Sequence, residues 1–465
     1  STQITALVGW HGINPAAMLM EALKHHAEKL GVPLQCYLSM PTVAWFNSSD
    51  SALSAICLGG LAASLLVLAG VLTVPALVAC FVLYLSIVHV GQEFMSFQWD
   101  WLLLETGFLA LIFAPWQLLE APWPRAKQPE PPSRIAIWLL RLLLFKLMFM
   151  SGLCKLQSDD PTWRDLTALN YHYWTQPLPT PLGWLAAQMP EWFEKLSVVI
   201  MFVIELGAPF LIFAGRKMRM IAASLICMLQ FLILLTGNYT FFNWLTISLC
   251  ILLLDDAIVA VCLPKRIFES LKQQGTHGIS FLHKFSNAVM EAIVIIMALI
   301  HVSGAASLVY PLYSTLAPFG LYNSYGLFAV MTTERNEIVI EGSNDKVVWL
   351  EYQFPFKPGD VKRAPPIVAP FQPRLDWQLW FAALGTASDN RWFGNFVLRL
   401  LQGSPDVLHL LCANPFPDKP PRYIRASLYR YRFTDIPTLI KTGQWWNRTF
   451  SGEYFPPSSL DDLIL

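Results

Sequence analysis

The sequence predicts a polytopic α-helical membrane bundle followed by a soluble C-terminal α+β domain with β-hairpins, and three observations predict it. Hydrophobic residues make up 55% of the chain and charged residues only 14%, with a mean hydropathy of +0.45, whereas soluble domains carry roughly 25% charge. Charge-free runs recur at bilayer length: residues 51–92 contain no Asp, Glu, Lys or Arg, and neither do residues 220–254, at about 20 residues per crossing. From about residue 310 the pattern changes to short alternating stretches and turn residues, the mark of strands and loops. The formal net charge is zero, so nothing argues for nucleic acid or a strongly acidic partner.

In chain order, residues 1–49 are expected to form a non-cytoplasmic N-terminal segment. It mixes helical patterning over 15–30 with loop and includes Trp10, His11, Gly12 and the dyad His25, His26. Residues 50–309 are expected to hold the bundle, with about eight crossings and one further upstream crossing missing. Two crossings lie in 51–92, joined near Thr73, and the polar and aromatic turn 92–100 leads into a third that begins at Trp101. A Pro-rich basic loop, 122–134, precedes a fourth at 135–153, which contains Arg141 and Lys146. Residues 196–215 make a fifth with Glu205 at its middle, 220–254 form a hairpin of two turning at Gly237 and Asn238, and a last crossing falls near 286–308.

Between the fourth and fifth crossings stands a folded cap, 154–195. A solvated linker would hold Gly, Ser and Lys, but this stretch carries Asp159, Asp160, Trp163, Arg164, Asp165, Tyr171, His172, Tyr173 and Trp174, and is stiffened by Pro177, Pro179 and Pro181. Lys and Arg counts give its side. Alternate loops at 71–73, 117–134, 216–219 and 255–284 hold ten, whereas the longer opposite set at 1–49, 93–100, 155–195 and 237–238 holds five. Basic residues accumulate on the cytoplasmic side, so the N-terminal segment, cap and C-terminal domain are expected on one non-cytoplasmic face. No signal peptide is visible in a chain that opens Ser-Thr-Gln.

Residues 310–465 are expected to form the α+β domain. Residues 337–341 alternate polar and apolar, 342–345 supply a turn, and 346–354 resume as a strand; 375–384 and 392–401 have helical spacing, and 422–433 reads as another strand.

Charges inside crossings are the most informative positions, because an ionised side chain at mid-bilayer costs at least about 3 kcal/mol and faces a partner or cavity. Glu105, Lys146, Glu205 and Glu291 qualify. Lys146 and Glu205 both fall at mid-span, which predicts a buried pair between the fourth and fifth crossings. The bland reading is an ion pair that fixes helix register; the sharper one is proton handling by a desolvated group. Arg141 reads as a snorkelling residue. In the cap, Asp160 and Pro161 read as a helix start, while Arg164, His172 and the neighbouring aromatics fit either a binding surface or packing at the bilayer interface. Catalytic candidates are therefore Lys146, Glu205, Glu105 and His172. The eight cysteines show no CxxC and no metal-ligand spacing, no phosphate-binding loop or nucleophile triad stands out, and neither metal nor cofactor is expected. Sequons occur at Asn47, Asn238 and Asn447.

The runs GQEFMSFQWDWLLLETGFLA, DPTWRDLTALNYHYWTQPLPTPL, GNYTFFNWLTI, KPGDVKRAPPIVAPFQPRLDWQLWFAALG and PPRYIRASLYRYRF resemble the lipase maturation factor family over essentially the whole chain. The resemblance implies a polytopic membrane protein whose animal members sit in the endoplasmic reticulum and help dimeric secreted lipases reach an active fold, with a lumenal or periplasmic C-terminal domain as the client-binding part. The family has a further span before the segment that here begins STQITALVGWHGINP, and the short end after Trp445 and Trp446 fits bacterial members. The bundle is also distantly similar to that of vitamin K-dependent carboxylases, where residues 152–156 and Glu205 followed by Pro209 correspond.

The resulting expectation is a membrane-anchored folding factor whose partners are membrane lipid and a protein client, a lipase or other exported protein. Exposed aromatics would hold a non-native client and release it once its own surface is buried. Trp163, Arg164, Asp165, Tyr171, His172, Arg374, Asp376 and Trp377 would form or support the contact surface. The alternative is an integral membrane enzyme acting on a lipid, quinone or peptide within the bundle. Transport lacks the paired broken segments or inverted repeat it would need.

Overall fold

A computed structural model describes residues 2–116, 118–119, 132–255, 258, 281–303 and 314–464. Among these, four helices are long and apolar enough to cross a membrane: α1 (Asp50–Leu68), α2 (Thr73–Val90), α4 (Arg134–Gln157) and α6 (Arg216–Thr236). Between α2 and α4 lies α3 (Gln98–Phe113), shorter at 16 residues. The fifth expected crossing is a composite. It runs from α5 (Glu191–Phe202) through a π-helical turn, Val203–Gly207, into the short helix Ala208–Leu211. The second half of the expected hairpin is α7 (Phe242–Ile251), of ten residues, and α8 spans Phe281–Ser303. The loops 122–130 and 259–280 that the sequence analysis assigns to the basic side lie outside the described residues.

The cap begins later than the sequence suggests. Helix α4 runs on to Gln157, so Cys154 and Lys155 belong to the helix, and the cap proper opens with the expected helix start: the Asp160 carboxylate accepts from Thr162 N at 2.8 Å, with Pro161 at the first helical position.

The C-terminal domain is a four-stranded antiparallel sheet of order β2-β1-β3-β4, made of β1 (Arg335–Ser343), β2 (Leu350–Glu351), β3 (Tyr423–Phe433) and β4 (Trp446–Ser458). Helices α9 (Arg374–Ala382) and α10 (Arg391–Leu401) fall within a residue or two of the predicted spacing. They cover one face, where Ile338, Ile340, Ile424 and Ala426 join Leu375, Leu379, Trp392, Phe393 and Phe396 in one core. Two expectations are corrected. The strand expected over 346–354 shrinks to two residues, because Asp345 Oδ1 accepts from Val347 N and Val348 N at 2.8 and 2.9 Å and holds them in a turn. The 13-residue strand β4 was not expected at all. Its alternation is broken by bulges opposite 424–429 and by Gly452, Pro456 and Pro457.

The N-terminal segment packs on the same domain. Gln3 bonds both Gln372 O and Arg374 N, Arg399 donates to Gly12 O, and Ile4, Leu7, Val8 and Ile13 share the core of α10.

Candidate functional site

The polar residues that the bundle, cap and C-terminal domain bury gather along one seam. Four buried ionic systems build it, and three of them tie separate parts of the chain together.

The first begins at α3. Asp100 stands one turn into the helix and is fully buried, which would be prohibitive unpaired. Arg374, in the first turn of α9, meets it in a fork of 2.7 and 2.8 Å, and Tyr84 of α2 donates to the same carboxylate at 2.6 Å. Arg374 also donates to Phe94 O. Two helices of the bundle and one of the C-terminal domain are thereby joined by a bidentate pair, the strongest geometry that an arginine offers.

The second lies deeper. Lys146 of α4 pairs with Glu105 of α3 at 2.5 Å, with its Nζ 3.6 Å from the Tyr322 ring centre. Glu105 Oε2 accepts in addition from Asn323 N, Asn323 Nδ2 and Tyr325 OH at 2.9, 3.1 and 2.7 Å. The third joins Lys155 to Glu205 at 2.7 and 3.0 Å, beside the Trp163 ring. The expected pairing of Lys146 with Glu205 is therefore wrong. Lys155 lies nine positions after Lys146, about 13.5 Å along the helix. The π-helical turn brings Glu205 to the Lys155 level, where Glu205 and Leu206 press on Gly152: a Cβ there would meet Leu206 at 2.8 Å. Arg141 donates to Leu252 O, and Glu291 accepts from Ser133.

The fourth system clamps cap to sheet. Arg335 and Glu337 alternate on β1, buried with Lys357, in ion pairs of 2.6 and 2.9 Å. The Arg335 guanidinium donates to three cap carbonyls, those of Trp174, Gln176 and Pro177. Trp380 Nε1 donates to Thr175 O, and Gln188 to Thr434 O. At the other end of the cap, Asp160 Oδ2 accepts from Met331 N and Trp163 Nε1 donates to Phe328 O.

Asn238 completes the seam. Its amide nitrogen donates to Leu178 O, Pro179 O and Pro366 O, and its oxygen accepts from Val368 N and Ala369 N. All the hydrogen-bonding capacity of one side chain thus links hairpin turn, cap and C-terminal domain. It is buried, unlike the exposed Asn47 and Asn447. Next to it Tyr239 donates to Gln176 and lies 3.1 Å from His172 Nε2. Burial, reinforced by the Lys155 charge, pushes the His172 pKa down to about 4, and burial pushes the Tyr173 hydroxyl up to about 12. A neutral imidazole held by a phenol is a packing element with hydrogen bonds.

Of the expected contact residues, Arg164 and Asp165 are exposed, and Arg164 pairs with Asp159. Tyr171 and His172 are half-buried. Trp163, Arg374, Asp376 and Trp377 are corrected: they are interior. Trp377 stacks edge-on against Phe97, Trp99 and Tyr239, and burial raises the Asp376 carboxyl to about 6 although Phe356 N and Lys357 N donate to it. An aromatic at a helix start reads alike in sequence whether it faces water or a second domain.

Tyr84, Lys155, Asn323, Tyr325, Arg335, Glu337 and Lys357 belong to the seam although their sequence context does not single them out. A buried strand reading Arg-Asn-Glu-Ile-Val-Ile did carry a signal, since two opposite charges two residues apart share a face. Phe145 and Phe149 of α4 pack edge-on against Phe210 of the short helix Ala208–Leu211 at 5.3 Å. Among the described residues no group of three His, Cys, Asp or Glu is placed to hold a metal. Surface cavities of about 490 Å³ lie beside Trp10, Met18 and Arg399 and beside Glu351, Arg363, Cys412 and Arg448.

Comparison with known proteins places both parts. The family described as the lipase maturation factor transmembrane domain matches residues 1–261, and that described as the lipase maturation factor C-terminal domain matches residues 321–456. "Lipase maturation factor 2" of Gallus gallus is 36% identical over 577 aligned residues, covering 100% of this chain and 79% of the relative. "Lipase maturation factor 2" of Homo sapiens is 37% identical, over 82% of this chain and 69% of its own length. "Lipase maturation factor 1" of Mus musculus is 33% identical, over 99% of this chain and 84% of its own length. No solved structure matches.

Proposed function

This chain belongs to the lipase maturation factor family, and from that premise we propose that it is a multi-pass membrane protein of the endoplasmic reticulum that assists the folding of secreted lipases with its cap and C-terminal domain. The observation that carries the reading is the family match across both parts, joined to a seam that holds those parts as one platform. Eight crossings with the platform on the lumenal side are the arrangement we favour. The Lys and Arg bias supports it, and so does the clustering of the N-terminal segment, cap, hairpin turn and C-terminal domain at one end of the helices. A platform of this kind acts by differential binding: it holds non-native surface and loses its hold once the client has buried that surface. On this reading the interior residues Trp163, Arg374, Asp376 and Trp377 and the half-buried His172 set the shape of the surface, and Arg164 and Asp165 lie on it.

Complementation tests the proposal. In cells lacking their own lipase maturation factors, expression of this chain should restore secretion of active lipase. Wild-type amounts of the protein in the membrane with no gain in secreted activity would refute it. The names of the relatives give the membrane-enzyme reading no support.

A further inference from the structure

Cap and C-terminal domain meet a second time at the edge of the platform. The helix Ile436–Thr442 follows β3 after a two-residue turn, with the Asp435 carboxylate accepting from Thr438 N. Leu439 turns inward onto a cluster with Trp184, Ala187 and Trp445. Ile436 and Ile440 are left outside, Ile440 at 81% exposure. Two exposed isoleucines one turn apart on a docked helix are costly in water and ask what covers them.

The neighbouring cap answers. Gln188 donates to Thr434 O at 3.2 Å, so the start of this helix stands against the last residues of the cap. Those residues carry the same character, for Leu185, Met189 and Trp192 are exposed, Trp192 at 66%. Three positions after Gln188 comes Glu191, the first residue of α5, at most about 11 Å further along the chain. Down α5 and into the π-helical turn the exposed side chains include Leu196, Val199, Ile200 and Val203, the face that acyl chains would cover in a crossing. The apolar surface therefore runs from that face through Trp192 and Met189 to Ile436 and Ile440. Lys441 and Lys195, the latter paired with Glu191 at 2.8 Å, flank it, and a tryptophan marks the level, as tryptophans do at membrane interfaces.

We infer that the helix Ile436–Thr442 lies in the headgroup region of the bilayer with Ile436 and Ile440 against the acyl boundary, so that the C-terminal domain leans on lipid as well as on the bundle. The occupant is lipid rather than client because the patch is continuous with a lipid-facing helix and starts within a few residues of it. The inference rests on α5 being a crossing. Its consequence is that the lateral edge of the platform is closed to clients, which must approach elsewhere.

Spin-label accessibility tests it on the full chain in phosphatidylcholine liposomes. Nitroxides are attached one at a time at Ile440→Cys, Ile436→Cys, Val203→Cys and Lys419→Cys, in chains with their other cysteines replaced by Ser. Positions 440, 436 and 203 should be relaxed more by oxygen than by a water-soluble nickel chelate, and position 419, on an exposed loop, the reverse. Nickel-dominated relaxation at 440 and 436 with oxygen-dominated relaxation at 203 would overturn the lipid contact alone. Nickel dominance at 203 as well would overturn the crossing and the inference with it. A label at 440 reached by neither agent would mean protein covers the patch, which also overturns it.

Discussion

At the scale of single residues, the seam is governed by groups that cannot be unpaired cheaply. Removing one partner of a buried ion pair costs about 3–5 kcal/mol because the other charge is left without compensation. Asp100→Asn should therefore lower the melting temperature in detergent sharply, whereas Asp100→Asn with Arg374→Met should lower it less than the two single changes together. A fully additive cycle would remove the claim that the fork couples α3 to α9. The pH response has a sign as well. His172 titrates near 4 when folded and near 6.5 when free, so the folded chain binds fewer protons between those values and its contribution to stability is lost as pH falls from about 6.5 to about 4. Asp376, raised from 3.8 to about 6, works the other way and gains stability as pH falls through that window. His172→Gln keeps a partner for Tyr239 and removes only the first effect, so its stability relative to wild type should rise on acidification. A constant difference across pH 4 to 7 would mean the imidazole is not held neutral.

At the scale of elements, much was legible and the failures have causes. The bundle helices announce themselves through long runs without charge, and α9, α10 and β3 through their periods. Strand β4 did not, since two prolines, a glycine and bulges erase the alternation that a flat strand would show. Nor did the ion-pair partners. Sequence gives the depth of a charge along its own helix, but a π-helical turn and the end of α4 decide which level faces which. Burial of Trp163 in the cap and Trp377 on α9 escapes sequence for a related reason: they are covered by segments 165 residues downstream and 138 residues upstream, Phe328 and Tyr239. The cap should thus divide by exposure. Trp163→Ala should destabilise by about 3–5 kcal/mol, and Arg164→Ala should leave the melting point nearly unmoved, because exposed ion pairs contribute little. If lipase yield falls with Arg164→Ala at unchanged stability, Arg164 is part of the contact surface; equal yield removes it from that surface.

At the scale of the whole molecule, cap, hairpin turn and C-terminal domain form one platform at the end of a bundle, with a hairpin asparagine at its centre. Asn238 lies in a sequon, yet five hydrogen bonds leave no room for a glycan. Asn238→Ala should cost at least about 2 kcal/mol, since several buried partners lose their bonds at once, and glycosidase treatment should produce no mass change attributable to Asn238. The central claim is that the cap after the fourth helix and the C-terminal domain stand in one lumenal compartment. Single-cysteine chains in sealed microsomes test it most directly, one keeping native Cys412, which is exposed on the C-terminal domain, and one carrying Arg164→Cys on the cap. Both should resist a membrane-impermeant maleimide until the vesicles are permeabilised, and both should then react. Labelling of one but not the other in sealed vesicles would contradict the shared compartment, and labelling of both would contradict its being the lumen.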